Sequence, residues 1–286
     1  MSKDLLAIAR AVQLNEITEY HVYTGLAGLC KDKHNADVLR SVGEAERLHA
    51  QYWQKHTGVE ISPPRFKVFW IMLKARLLGL TFTLKQMEKN EGTASRNYME
   101  LAKEFPEAGK IAQDEAAHEN ELLNMLDEER LRYTGSVVLG LNDALVELTG
   151  SLAGFTLALG STRLISLAGL VTGVSASLSM ASSEYFSRKS EDDPRALKSA
   201  LYTGIAYVIT VTLLILPFLL LTGKFTALAV TLALAVLIIL VFNYYLATAK
   251  DLNFRRRFAE MSIISLLVAA ISFGVGYVLQ TALGVD

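Results

Sequence analysis

The chain has 286 residues, a formal net charge of −1 and a hydrophobic fraction of 51%. A length of this order favours two domains. The balanced charge, without a basic stripe, argues against nucleic acid as a partner. Cys30 is the single cysteine, which excludes an intrachain disulfide and a cysteine-rich zinc site. The N-terminus lacks the apolar core of a signal peptide.

The two halves of the chain differ in composition. Residues 1–133 hold most of the charged residues and all five histidines, whereas residues 136–283 are mostly aliphatic, small or hydroxyl-bearing. We therefore predict an all-α protein of two domains. Residues 1–133 form a helical domain outside the bilayer, and residues 134–286 form a membrane domain.

Four long helices are predicted in the first half, over residues 3–29, 35–56, 84–104 and 106–132. Gly58 suits the position after a helix C-terminus, and Pro106 suits a first helical turn. Residues 66–80 are basic and aromatic, but too short to span a bilayer. They form either a helix at the membrane interface, or the docking surface on the membrane domain, or a buried crossover helix.

Two Glu-x-x-His motifs, Glu46 to His49 and Glu115 to His118, each lie on a helix that follows a helix with its own glutamates. This matches a di-metal carboxylate site in a four-helix bundle, where two helices give one Glu each and two give Glu-x-x-His. Oxygen and imidazole donors suit iron or manganese. Solvated helix faces are the alternative. The predicted ligands are Glu16, Glu46, His49, Glu88, Glu115 and His118, with Glu91 as a further candidate.

The first half resembles the ferritin-like superfamily, and in particular its rubrerythrin branch, in the two Glu-x-x-His motifs, Glu16 with Tyr23, and the doubled Glu88 and Glu91. The resemblance implies a di-iron four-helix bundle. It also implies that Glu91 accompanies an iron that moves between Glu and His ligands on redox change. The cysteine pairs of a rubredoxin-type module are absent, so a ferroxidase or peroxidase activity of the bundle stays open.

Five apolar stretches follow, each long enough to cross the hydrocarbon core. The loops after the second and fourth stretches are rich in Lys and Arg, whereas those after the first and third carry one such residue each. The positive-inside rule therefore predicts a cytoplasmic first domain and a C-terminus on the opposite side. The stretches are residues 134–160, 164–187, 197–221, 225–249 and 258–283.

Ionisable residues inside membrane spans are functional candidates. Asp143 and Glu147 are four residues apart on the first stretch, as are Met180 and Glu184 on the second, so each pair shares a helix face. Carboxylates with a thioether suit Fe²⁺ or Mn²⁺, and the carboxylates can exchange protons for metal. A snorkelling Glu184 and a packing role for Met180 are the alternatives.

These residues lie in two runs, Gly-Leu-Asn-Asp-Ala-Leu-Val-Glu at 140–147 and Ser-Met-Ala-Ser-Ser-Glu-Tyr at 179–185. The runs resemble the first-span and second-span signatures of the vacuolar iron transporter family. The resemblance implies a homodimeric antiporter that exports Fe²⁺ or Mn²⁺ from the cytosol against protons, with Asp143, Met180 and Glu184 in the path. Ala144 replaces the Gly that is usual there, and residues 188–198 replace the Glu-rich helix pair of plant members.

Joined, the two halves resemble the membrane-bound ferritin proteins, which export iron. Ligands for a transition metal in both halves favour a transporter whose bundle captures, senses or oxidises Fe²⁺. The alternative is a membrane-anchored di-iron oxidase or peroxidase that uses the spans as a scaffold.

Overall fold

The structure, a computed structural model, describes residues 3–90, 98, 101–124 and 133–283. These residues form ten α-helices, in agreement with the predicted all-α class. Contacts between residues divide the chain into two compact units, Met1–Glu128 and Glu129–Asp286. We call them the bundle unit and the membrane unit.

Five of the described helices belong to the bundle unit. The side chain of Asp32 begins the second helix by accepting a hydrogen bond from the backbone N–H of Asn35 at 2.9 Å. Gly58 ends that helix with a φ of 66°, a backbone conformation that residues with a Cβ rarely adopt. The helices are α1 (Lys3–Leu29), α2 (Lys33–Thr57), α3 (Arg65–Leu78), α4 (Leu80–Asn90) and α5 (Pro106–Asn124).

The predicted helix over residues 84–104 differs from the structure at its start. α4 begins at Leu80 and follows directly on α3, which is a separate helix. Gly79 divides the two because its φ is 98°, a backbone conformation that favours glycine. Residues 91–97 and 99–100 of the predicted helix lie outside the described residues.

Two apolar clusters fill the bundle unit, and α1, α2 and α5 contribute to both. Burying one large apolar side chain stabilises a fold by about 1.5–3 kcal/mol, so these clusters hold the three helices together. The Trp53 cluster contains Ala9, Val12, Trp53, Tyr98, Leu101, Ala108 and Ile111. The Leu39 cluster contains Val22, Tyr23, Leu26, Ala27, Val38, Leu39, Val42, Ala75, Leu84 and Leu122.

The membrane unit contains five further described helices, and all five are long and apolar enough to cross a bilayer. Length and composition therefore indicate an integral membrane protein. The helix bounds agree with the predicted apolar stretches to within a few residues. The helices are α6 (Thr134–Ala158), α7 (Thr162–Ser190), α8 (Ala196–Leu220), α9 (Lys224–Ala249) and α10 (Phe254–Leu283).

Helix α6 packs against each of the other four helices of the membrane unit. It approaches α8 closely at Gly140, where an added Cβ would lie 2.2 Å from the carbonyl oxygen of Thr203. The hydroxyl of Thr203 donates a hydrogen bond to the backbone oxygen of Ser136 at 3.0 Å. Small residues at such crossings let helix backbones come together in a bilayer.

Candidate metal sites

In the bundle unit, the ligand atoms of four predicted metal ligands lie within 4.8 Å of one another. Glu16 comes from α1, Glu46 and His49 come from α2, and Glu115 comes from α5. Along each helix, residues of the Trp53 cluster lie on one side of these ligands and residues of the Leu39 cluster on the other. The polar group is therefore held between two apolar layers.

The imidazole of His49 lies at the centre of this group. Its Nδ1 is 3.1 Å from Oε1 of Glu115 and 3.3 Å from Oε2 of Glu46. It is also 3.7 Å from Oε2 of Glu16. One nitrogen thus faces three carboxylates, in the position that a cation would occupy.

The pKa values of these groups follow from this arrangement. Burial lowers the pKa of His49, but the neighbouring carboxylates of Glu115, Glu16 and Glu46 outweigh burial and raise it to about 12. Burial raises the pKa of Glu46, yet its hydrogen bonds with His118 and His49 lower it to about 2. The pKa of Glu16 is well above its usual value, chiefly because of burial. At neutral pH, a proton on His49 balances part of the buried negative charge.

Tyr98 is a functional residue that the sequence analysis missed. Its hydroxyl donates a hydrogen bond to Oε1 of Glu16, while Oε2 of Glu16 is buried and has no hydrogen-bond donor among the described residues. Burial and the neighbouring carboxylate of Glu16 raise the pKa of Tyr98, so the phenol stays protonated. It orients Glu16 and leaves the second oxygen available for a ligand bond.

The remaining predicted ligands of the bundle have three different outcomes. Nδ1 of His118 lies 3.4 Å from Oε1 of Glu46, and its ring stacks on that of His49 with the centroids 6.1 Å apart. Glu88 does not belong to the group of four, and its Oε2 lies 3.3 Å from the ammonium of Lys85. Glu91 lies outside the described residues.

In the membrane unit, Glu147 on α6 accepts a hydrogen bond at 2.7 Å from the hydroxyl of Tyr207 on α8. Asp143 lies one helical turn before Glu147 on α6 and is half-buried. Tyr207 is fully buried, and it is a second residue that the sequence analysis missed. The sequence gives no signal for this contact because the two residues are 60 positions apart.

Glu184 on α7 is buried and takes part in a polar network. Its Oε1 accepts hydrogen bonds from the hydroxyl of Ser136 at 2.7 Å and from Nε of Arg188 at 3.0 Å. Arg188 also lies 3.6 Å from Oδ2 of Asp193. The carboxylate of Glu184 is thus held by a guanidinium within the unit and does not reach out to solvent.

Met180 packs against the apolar core of the membrane unit. Among the described residues of this unit, Asp143, Glu147 and Glu184 do not converge on one point as the bundle ligands do. The intramembrane candidates are therefore spread along α6 and α7. All of them lie in the segment that comparison with known families picks out.

Residues 134–196 match the VIT family. The VIT segment comprises α6, α7 and the turn that leads to α8, and it contains Asp143, Glu147, Met180 and Glu184. Together with the five apolar helices, this match suggests a membrane transporter of iron or manganese. No curated protein matches the chain.

Proposed function

We propose that this protein exports Fe²⁺ or Mn²⁺ from the cytosol in exchange for protons. We further propose that its bundle unit is a ferritin-like di-metal domain on the cytoplasmic side. The observation that carries the transport function is the VIT segment, because it contains all four intramembrane candidates. The basic loops after the second and fourth spans support a cytoplasmic position of the bundle unit, and export is the direction that the resemblance to the vacuolar iron transporter family implies.

The chemistry of the proposed path is an exchange of partners at carboxylates. Asp143, Glu147 and Glu184 supply hard oxygen atoms that can replace the hydration shell of a divalent cation, and the thioether of Met180 favours a transition metal over Mg²⁺. Each carboxylate binds either a metal ion or a proton, which couples the two flows. Since the carboxylates are spread along the two helices, the cation passes between sites and is not trapped at one.

The donor set of the bundle unit fits a bound metal. Four ligand atoms already lie within 4.8 Å of one another, and Oε2 of Glu16 is buried without a hydrogen-bond donor among the described residues. Glu16, Glu46, His49 and Glu115 would hold the ions, with His118 as a further ligand. Iron bound there would supply one-electron redox chemistry toward O₂ or peroxide.

The protein's own residues prepare this donor set. Tyr98 fixes the orientation of Glu16 through its hydrogen bond, and the stacked ring of His118 lies beside His49. The Trp53 and Leu39 clusters exclude water on both sides, which strengthens electrostatic interactions between the ligands and a cation. Capture of Fe²⁺ from the cytosol is the role that these features support.

The test is Fe²⁺ flux into vesicles that contain the full chain and carry a proton gradient. We expect the double variant Asp143→Ala/Glu184→Ala to lose flux, whereas Glu191→Ala, in an exposed turn, retains it. A helical circular-dichroism signal and an unchanged thermal midpoint in detergent show that the membrane unit of the double variant is still folded. Flux equal to that of the wild type in the double variant would remove both residues from the path.

A second function is favoured by the buried four-ligand group itself. In this case the protein is a membrane-anchored di-iron oxidase or peroxidase, and the spans are a scaffold. Stopped-flow absorbance after mixing the Fe²⁺-loaded full chain with O₂ tests it, and Glu46→Ala is the control. A transient in the wild type without any Fe²⁺ or Mn²⁺ flux would favour this second function over transport.

A further inference from the structure

Helix α3 has two apolar faces, and one of them is already used in the core. Val68, Ile71 and Met72 pack against the Leu39 cluster, and Ala75 is buried within it. These residues follow one another at intervals of three, one and three positions, so they lie on one side of the helix. The packing of α3 in the bundle unit is therefore explained without its other side.

The opposite face of α3 carries three exposed aromatic rings. Phe66, Phe69 and Trp70 are 74%, 59% and 45% exposed. Trp70 contacts both phenylalanines, with ring centroids 5.9 Å and 6.1 Å apart. Since the helix turns by about 100° per residue, these rings point away from the buried Ala75. A continuous exposed apolar surface of this kind indicates an interaction site.

Basic side chains flank the aromatic face on both sides. With about 100° per residue, Arg65 and Arg76 fall along one edge of that face, and Lys67 and Lys74 fall along the other. Helix α3 contains no acidic residue. The residues that α3 itself contributes are therefore basic along both edges, with aromatic rings at the centre. On the edge of Lys67 and Lys74, a groove also contains Glu19 of α1, and Lys74 donates a hydrogen bond to Gln86 at 2.7 Å.

We propose that α3 lies in the headgroup region of an anionic bilayer. Aromatic rings partition to the boundary between headgroups and acyl chains, while Lys and Arg extend sideways to lipid phosphates. Anionic lipid attracts each basic residue near the surface. A chain with five candidate membrane spans meets such a surface whenever it is inserted.

Charge complementarity favours lipid over a second copy of the chain on this face. Two α3 helices packed face to face would bring eight cations together without an acidic residue from either helix, and like charges oppose association. A bilayer that contains anionic lipid offers phosphates to the exposed Arg65, Lys67 and Arg76 and an apolar boundary to the rings. This inference does not depend on the transport function, because it concerns only the surface of α3.

The two tryptophans of the chain make the proposal measurable. Trp70 lies on the aromatic face, whereas Trp53 is fully buried in its cluster. The full chain is reconstituted in vesicles of phosphatidylcholine and phosphatidylglycerol with brominated acyl chains, which quench tryptophan on contact. The difference between the wild type and Trp70→Phe gives the emission of Trp70 alone. We expect this emission to be lost, and bromines near the headgroups to quench it more than bromines near the chain ends.

Two further variants separate the contributions of the rings and the charges. In Phe66→Ser/Phe69→Ser, and in Arg65→Gln/Arg76→Gln, we expect Trp70 emission to recover in brominated vesicles. Leu29→Ser removes an exposed apolar side chain at the end of α1 and leaves the quenching unchanged. The unshifted emission of Trp53 shows that each variant is folded.

The proposal is overturned by either of two results. If brominated lipid does not quench Trp70 but aqueous acrylamide does, the face is in water. If neither quencher reaches Trp70, protein covers the face, either from this chain or from a second copy. Quenching of equal strength in vesicles of phosphatidylcholine alone would remove the requirement for anionic lipid.

Discussion

The two units hold their candidate ligand carboxylates in different ways. In the bundle unit, three carboxylates surround one imidazole nitrogen, and their ligand atoms lie within 4.8 Å of one another. In the membrane unit, each hydrogen-bonded carboxylate has partners of its own, with Tyr207 on Glu147 and with Ser136 and Arg188 on Glu184. A clustered set of ligands retains a cation, whereas separate ligands with their own partners allow a cation to leave.

The largest expected effect is the loss of metal affinity when a ligand of the bundle unit is removed. Glu46 contacts both histidines, so we expect Glu46→Ala to weaken Mn²⁺ binding by about a hundredfold or more, since even the loss of a residue that only supports a ligand costs about 10–100-fold. Isothermal titration calorimetry on the full chain in detergent measures this. Glu44→Ala is the matched control, because Glu44 is on the same helix and pairs with Arg47 at the surface. If Glu46→Ala and Glu44→Ala bind Mn²⁺ with equal affinity, the proposed metal site in the bundle unit is wrong.

The membrane unit is expected to respond most to a change in helix spacing. Gly140→Ala places a methyl group against the backbone of Thr203, which forces α6 and α8 apart and costs about 1–3 kcal/mol. Gly274→Ala on α10 is the control, since an added Cβ there meets no atom within 4 Å. Thermal unfolding in detergent, followed by circular dichroism, should show a lower midpoint for the first variant only. A lowered midpoint in both would mean that glycine flexibility, and not the close contact, is responsible.

The all-helical class, the five apolar helices and the positions of most helix ends could be predicted from the sequence. Apolar length determines a candidate span, and Gly58 and Pro106 mark helix ends by backbone geometry. A break between residues 66–80 and the helix over 84–104 was predicted, but its position at Gly79 was not, because one glycine in an apolar helical pattern does not reveal its φ. The bundle ligands on α1, α2 and α5 were named from their spacing along the sequence. That spacing does not give the distances between ligands on different helices.

The residues that contact these ligands differ in whether a sequence pattern could identify them. Arg188 is four positions after Glu184, so the helical rule for charged pairs could have identified it. Tyr98 and Tyr207 contact Glu16 and Glu147 from 82 and 60 positions away. Contacts over such distances depend on how the helices pack, and a single sequence does not encode them in a readable pattern.

We expect a smaller effect from removing the guanidinium of Arg188, which donates a hydrogen bond to Glu184. We expect Arg188→Gln to lower the Fe²⁺ concentration for half-maximal flux by about threefold to tenfold, because the cation no longer displaces a charged hydrogen bond that is partly screened by solvent. Arg195→Gln is the control, since Arg195 pairs with Asp193 in the same turn. A raised half-maximal concentration in Arg188→Gln alone would mean that Arg188 assists entry of the cation.

The smallest signal is the proton release that accompanies metal binding in the bundle unit. The carboxylates of Glu115, Glu16 and Glu46 raise the pKa of His49 to about 12 despite its burial, and Glu46 also raises the pKa of His118. The ring of His49 is therefore protonated at neutral pH, and metal binding needs it neutral. We expect at least one proton to be released per loaded bundle, and tighter binding as pH rises. An indicator dye in weak buffer measures the release, and Glu46→Ala should release none.

The apolar clusters on either side of the bundle ligands also determine the direction from which an ion arrives. Among the described residues both ends of the ligand group are closed, so we expect lateral access on the side of α5, where the side chain of Glu115 is 25% exposed. The neighbouring Asp114 is 62% exposed, and its Oδ2 lies 3.9 Å from Nε2 of His49. A carboxylate at this opening attracts cations from solution and raises their local concentration. We therefore expect a residue at the surface to control the rate of loading, and the residues beneath it to control how long the ion stays.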